Sequence, residues 1–265
     1  MTGDWTSYDA AASTHARLGV PAIFERPAQE LAARMEFATA NSALDVGTGS
    51  GVVAMQAACP LVMAVDPSIE MARQARANGV VRVAVAPAPG LPFADEAFDR
   101  VTAGFVLSHV VEYEAALADM VRVTRRGGLV GVTAWGNLSN PYRDCWDGIL
   151  ARFVDAEELR AALARFVPWE DWLGDAGHLR GALDRAGLEA VRVDEVECPV
   201  RLTIEEFLRI RDVSGPARFL RMRVDDAAWE RFLKTTREEF AARFRDPIDH
   251  TRTALVAVGR RGSSE

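Results

Sequence analysis

The sequence predicts an α/β protein with a mostly parallel sheet covered by helices on both faces. Three observations carry this. An apolar run, Leu44-Asp45-Val46, breaks into alternate glycines at Gly47, Gly49 and Gly51; a second run, Leu61 to Val65, ends in Asp66; and strand-like and helix-like segments alternate from 44 to 135. Strands are expected at 44–46, 61–65, 80–85, 100–105 and 128–135. Helices are expected at 51–58, 68–77 and 112–123, with Ser68 and Glu112 where caps or first-turn acids belong. Asn78-Gly79 closes the second helix with a pair that tolerates left-handed angles. After Trp135-Gly136 the pattern changes, and residues 137–174 carry Trp146, Phe153, Phe166, Trp169 and Trp172 among short helical segments. A helix over 175–187, a strand at 189–198, helices at 203–215 and 225–244 and a last strand at 251–258 follow.

The turn after the first strand is where chemistry is expected. Glycines there permit backbone angles closed to residues with a Cβ and let a ligand approach the main chain. A dinucleotide fingerprint needs a third glycine at position 52, where this chain has Val52, so Gly47, Gly49 and Gly51 lean away from NAD. Asp66 ends the neighbouring strand 19 residues after Gly47 (66 − 47), where a carboxylate can accept both ribose hydroxyls. Taken singly, the turn occurs in proteins without a ligand, and Asp66 before Pro67 and Ser68 equally suits a helix N-terminus.

Together with Leu91-Pro92-Phe93, Phe98-Asp99 and the run Arg122 to Gly128, these motifs resemble the class I S-adenosylmethionine-dependent methyltransferases, and within them the type 11, ubiquinone-biosynthesis-like small-molecule branch. The resemblance covers residues 44–135 and implies a Rossmann-like, seven-stranded sheet with an antiparallel last strand and a helical lid insertion. It divides the chain into an N-terminal helical segment closing over the cofactor (1–40), a cofactor-binding core (41–136), a lid (137–174) and the rest of the core with additional helices (175–260). It implies S-adenosylmethionine as cofactor, S-adenosylhomocysteine as product, and a binding set of Gly47, Thr48, Gly49, Gly51, Asp66, Pro67 and Met71. By the same resemblance the main chain near Gly104 and Phe105 would accept bonds from the cofactor's amino group, and Tyr8 would close over its carboxylate. One departure stands out: Pro87 occupies the place where relatives commonly carry an aspartate facing the adenine amino group, leaving Ala88 to offer a backbone amide. His109, just after the fourth strand, faces the acceptor pocket in relatives. Its ordinary pKa near 6.5 suits a general base, the alternative being a histidine that orients the turn.

Composition limits the partners. The chain has 265 residues, 49% of them hydrophobic, and a formal charge of −7, which makes a nucleic-acid backbone an unattractive ligand. Neither a membrane-spanning run nor a secretory start is present, so a cytoplasmic protein that meets no membrane is expected. Cys59, Cys145 and Cys198 are too few and too far apart for a disulfide framework or zinc knuckle, and Asp144 with Asp147 makes no metal site alone. The expected function is O-methylation of a small organic molecule in secondary or quinone-like metabolism. Carbon or nitrogen methylation, or a non-catalytic adenosylmethionine-binding protein, are the alternatives; the oligomeric state is not legible.

Overall fold

The computed structural model describes residues 14–136 and 139–263. Among them seven strands form one sheet: β1 (Ser42–Val46), β2 (Leu61–Asp66), β3 (Val83–Val85), β4 (Phe98–Gly104), β5 (Thr124–Trp135), β6 (Leu188–Leu202) and β7 (Ile248–Arg261). Their order is β3-β2-β1-β4-β5-β7-β6. β1 pairs in parallel with β2 and β4, as do β2 with β3 and β4 with β5. Only β7 runs against its neighbours, β5 and β6. The order reverses between β1 and β4, and in such open sheets ligands sit beyond the carboxyl ends of the strands at that point.

Alternation along the central strands separates two cores. Leu44, Val46, Val101, Val130 and Val132 pack on one face with helices α3 (Tyr113–Val123) and α7 (Ala176–Arg185), through Leu117, Met120, Leu179 and Leu183. Ala43, Leu129 and Val256 point the other way, onto Leu31 of α1 (Glu25–Arg34) and Met35 at its C-terminal cap; α1 follows a π-type helix over His15–Phe24. Pro199 interrupts the donors of β6 without harm because β6 is an edge strand.

Three expectations are corrected. No α-helix forms over 51–58: a 3-10 turn, Ala54–Gln56, takes its place. β-branched Val52 and Val53 follow the left-handed Gly51 directly, and Pro60 bars the helical region to Cys59. The strand expected at 80–85 shortens to β3, because the Val80 amide donates to Ala75 O at 3.0 Å and closes α2 (Ile69–Ala77) instead of a ladder. The helix expected at 203–215 ends at Asp212 as α8 (Ile204–Asp212), and an unexpected helix, α9 (Gly215–Arg223), follows it, since Pro216 cannot continue a helix and suits the first turn of a new one.

Residues 141–173 fold into α4 (Pro141–Leu150), α5 (Ala156–Phe166) and α6 (Glu170–Leu173). Asn140 and Asp155 cap the first two through side chains that accept main-chain N–H groups. Trp146, Ile149 and Leu150 of α4 join Phe207 and Leu208 of α8, Phe219 and Leu220 of α9, and Phe232 and Phe240 of α10 (Asp226–Arg243) in one apolar cluster. The insertion and the C-terminal helices therefore share a core, whereas the sequence reading kept them apart. No helix among the described residues is long and apolar enough to cross a membrane.

Candidate active site

After β1 the chain turns through Gly47 at φ +63°, Gly49 at +55° and Gly51 at +94°, all in the left-handed region that favours glycine. Packing adds a second constraint. A Cβ on Gly47 would lie 2.4 Å from Val106 Cγ2, and one on Gly51 would lie 2.6 Å from Val80 Cγ2. The turn is strapped internally: the Thr48 amide donates to Val65 O at 2.9 Å and the Gly51 amide to Thr48 O at 2.8 Å. Asp66 Oδ2 accepts from the Gly49 amide at 2.8 Å while its Oδ1 accepts from the Ser68 amide at 2.8 Å, tying the turn to α2.

Asp45, whose role the sequence reading left blank, sits beneath. Its carboxylate is 3% exposed and accepts from the hydroxyls of Thr48 (2.7 Å) and Thr102 (2.8 Å). Burial raises its pKa to about 6 against the opposing pull of those two hydrogen bonds.

A cavity of about 1280 Å³ opens over the carboxyl ends of β1, β2, β4 and β5. It brings together Gly47, Thr48, Gly49, Asp66, Pro67, Met71, Phe105 and His109 of the expected set. Gly51, Pro87 and Ala88 are not on its wall: Gly51 is buried against Val80, and Pro87 is exposed. Tyr8 lies outside the described residues. Ile23 and Phe24 bring the N-terminal segment onto the wall, and Val213 and Ser214 between α8 and α9, with Gly215 and Pro216 at the start of α9, close the far side.

Phe105 is held at φ +58°, a conformation uncommon for a bulky residue, by its amide, which donates to Thr133 O at 3.1 Å and Thr133 Oγ1 at 3.0 Å. Its ring stacks on Trp135 with centroids 4.1 Å apart, and Phe24 meets both edge-on at 5.4 and 5.6 Å. The cavity thus has an aromatic wall. Of the five aromatic residues noted in the insertion only Phe166 reaches the cavity. Trp146 and Phe153 belong to the helical core, Trp169 donates Nε1 to Val111 O at 2.9 Å, and Trp172 stacks on His178.

His109 stands edge-on to Phe166 at 5.6 Å, half-buried, with its accessible edge on the cavity wall. Loss of water lowers its pKa to about 4, opposed by a hydrogen bond to the Phe166 main chain and reinforced by Arg218. The ring is therefore neutral at pH 7. A ring that donates to a main-chain carbonyl is held in the tautomer whose other nitrogen accepts a proton.

Sequence reasoning missed five arginines on the wall: Arg160 and Arg165 of α5, and Arg143, Arg211 and Arg252, which gather near Asp147 and Glu170. Arg211 lies over the Trp146 ring at 4.2 Å and Arg252 over the Trp135 ring at 3.7 Å. A signal existed. Arg252 shares a strand face with buried Ala254 and Val256, and Arg211 falls four residues after buried Phe207, so each interrupts an apolar pattern. Asp147, set aside as a metal ligand, serves these cations instead, accepting from Arg211 at 2.8 Å and Arg143 at 3.4 Å.

Residues 44–132 match the family model described as a methyltransferase domain. With the sheet order and the glycine turn, the chain carries a class I S-adenosylmethionine-dependent methyltransferase domain of the type 11, ubiquinone-biosynthesis-like branch. Among similar proteins, a demethylmenaquinone methyltransferase from Mycobacterium sp. (strain JLS) is 37% identical over 114 residues, 42% of this chain and 49% of that protein. The ubiquinone/menaquinone biosynthesis C-methyltransferase UbiE of Geotalea daltonii is 32% identical over 109 residues, 37% of this chain and 46% of that one. The chain spans about half the length of these curated relatives. The crystal structure of the YcgJ protein from Bacillus subtilis shares the fold, with a TM-score of 0.58 at 19% identity over 90% of this chain and 99% of that one.

Proposed function

We propose that the protein transfers the methyl group of S-adenosylmethionine to an oxygen of a small organic acceptor in secondary or quinone-like metabolism, leaving S-adenosylhomocysteine. The observation that carries this reading is the meeting of Gly47, Thr48, Gly49, Asp66 and His109 on one cavity whose about 1280 Å³ exceeds a single small-ligand site. The cradle fits this cofactor. Glycines leave the main chain open to it, Pro67 and Met71 offer apolar surface to adenine, and Asp66 offers a carboxylate to the ribose. Each carboxylate oxygen accepts more than one hydrogen bond, so the straps to Gly49 and Ser68 are compatible with that role.

When bound, the cofactor supplies a methyl group on a sulfonium that is its own leaving group. The protein's work is then to place the acceptor atom about 3 Å from that methyl carbon, exclude water and take up a proton. The aromatic wall of Phe24, Phe105 and Trp135 orients a flat acceptor, and residues 139–174, whose helix α5 lines the cavity, act as the lid. His109 takes the proton. Its lowered pKa, about 4, keeps the ring neutral at pH 7 and so able to accept a proton. The second reading is methylation at carbon, favoured by the name of the Geotalea relative.

Calorimetric titration with S-adenosylmethionine, S-adenosylhomocysteine and NAD is the test. Micromolar binding of both adenosyl ligands with none of NAD is expected, followed by labelled methyl transfer in an acceptor screen. Absence of adenosyl binding refutes the proposal, and binding without transfer to any acceptor leaves a non-catalytic role.

A further inference from the structure

The arginines on the cavity wall say something about the acceptor. Arg252 stands on β7 two residues beyond Ala254, the partner of Trp135 at the end of β5, so its side chain covers the open end of the sheet. Its guanidinium lies 3.7 Å above the Trp135 ring and lines the cavity, with no hydrogen bond or ion pair to any described residue. Two other cations face it. Arg211 and Arg143 share Asp147, and Glu170 lies 3.8 Å from Arg143, so three guanidinium groups divide two carboxylates. Burial, then Arg143 and Arg211, pull the pKa of Arg252 down to about 9, and Glu170, already close to Arg143, offsets this only in part.

We infer that the acceptor carries a carboxylate on a flat apolar body, and that Arg252 is the residue that holds this carboxylate. The inference rests on the methyl-transfer reading above. A half-buried cation loses part of its hydration unless an anion approaches it, and a guanidinium fork matches a carboxylate with two parallel hydrogen bonds. Within this cluster of Arg143, Arg211 and Arg252 with Asp147 and Glu170, the surplus of one positive charge fits a single negative group. The aromatic wall supplies the surface for the flat body, with Trp135 common to both. A wholly neutral acceptor would cover Arg252 without pairing it. The cofactor has a carboxylate too, but the glycine turn that cradles the cofactor follows β1, three strands from β7, or about 14 Å at ordinary strand spacing.

The test uses the full chain saturated with S-adenosylhomocysteine and titrated calorimetrically with benzoate and with benzamide, its neutral isostere. Benzoate is expected to bind about tenfold or more tighter than benzamide. Arg252→Gln should remove that preference while leaving benzamide and S-adenosylhomocysteine within about twofold of the native protein, and Arg252→Lys should keep part of it. Equal binding of the two probes, no binding of benzoate, or an unchanged preference in Arg252→Gln overturns the inference. So does loss of S-adenosylhomocysteine rather than benzoate in Arg252→Gln, which would assign the arginine to the cofactor's carboxylate. If Arg252→Gln does not fold, the native comparison and Arg252→Lys decide. Failure of the native protein to bind S-adenosylhomocysteine refutes the methyl-transfer reading separately, since benzoate can be titrated without it.

Discussion

The two halves of the cavity are built by different means. Around β1 and β2 the wall is main chain in unusual conformations plus one carboxylate, all within the 20 residues from Gly47 to Asp66. Around β5 and β7 it is side chains, Phe24, Phe105, Trp135, Arg143, Arg211 and Arg252, gathered from 228 residues apart (252 − 24). Backbone conformation demands particular residues at particular spacings, and so leaves a motif. A wall of converging side chains asks only that each element deliver one group, and many sequences satisfy that.

Four substitutions sharpen this contrast, the largest expected effect first and the smallest last. Gly47→Ala forces a Cβ into Val106 at a positive φ, so destabilisation of about 3 kcal/mol or more is expected in denaturant titration, with loss of S-adenosylhomocysteine binding. A fully stable, binding-competent variant would show that the turn tolerates side chains. Asp66→Ala should weaken S-adenosylhomocysteine binding by about 2 kcal/mol, about thirtyfold, in calorimetry; unchanged affinity would remove Asp66 from the binding set.

His109→Gln touches both halves, and pH separates its roles. The folded pKa of about 4 lies below the ordinary 6.5, so His109 contributes stability above pH 6.5 that is lost as pH falls toward 4, at most about 3 kcal/mol. Asp45 has the opposite sign. Its pKa of about 6 lies above the ordinary 3.8, so its burial costs stability as pH rises from 3.8 to 6 and the cost is relieved in acid. The variant should therefore lose less stability than the native protein between pH 6.5 and 4 in thermal melts. Its methyl transfer should fall about a hundredfold at every pH from 6 to 9 with S-adenosylhomocysteine binding unchanged; undiminished turnover would leave His109 only its place against Phe166. Pro87→Asp is expected to change least, tightening S-adenosylhomocysteine binding by about 1 kcal/mol if the carboxylate reaches the adenine amino group. Because Pro87 is exposed and off the cavity wall, no change in affinity would show that the loop holds position 87 away from the ring.

Much of the fold was legible for the same reason as the turn. Strands buried on both faces read as apolar runs, so β1, β2, β4 and β5 fell within a few residues of expectation. Ser68 was expected at the start of α2, and its hydroxyl accepts from the Met71 amide at 3.1 Å. The missing helix over 51–58 shows the limit: its apolar pattern was right, yet Gly51, two valines and Pro60 left no length in which to propagate a helix. The shared core of α4, α8, α9 and α10 was illegible, because nothing local in Trp146 names Phe232 as its neighbour.

By itself the sequence determined the parallel order of the central strands, the glycine turn and the acid that straps it, since these depend on φ angles and on periodicity over a few residues. Only the tertiary structure decided that Gly51 packs against Val80, that Pro87 stands off the wall and that Arg143, Arg211 and Arg252 meet there. Those outcomes depend on which distant surfaces are driven together to leave water, and in this chain that joins Trp135 to Arg252 and Asp147 to Arg211.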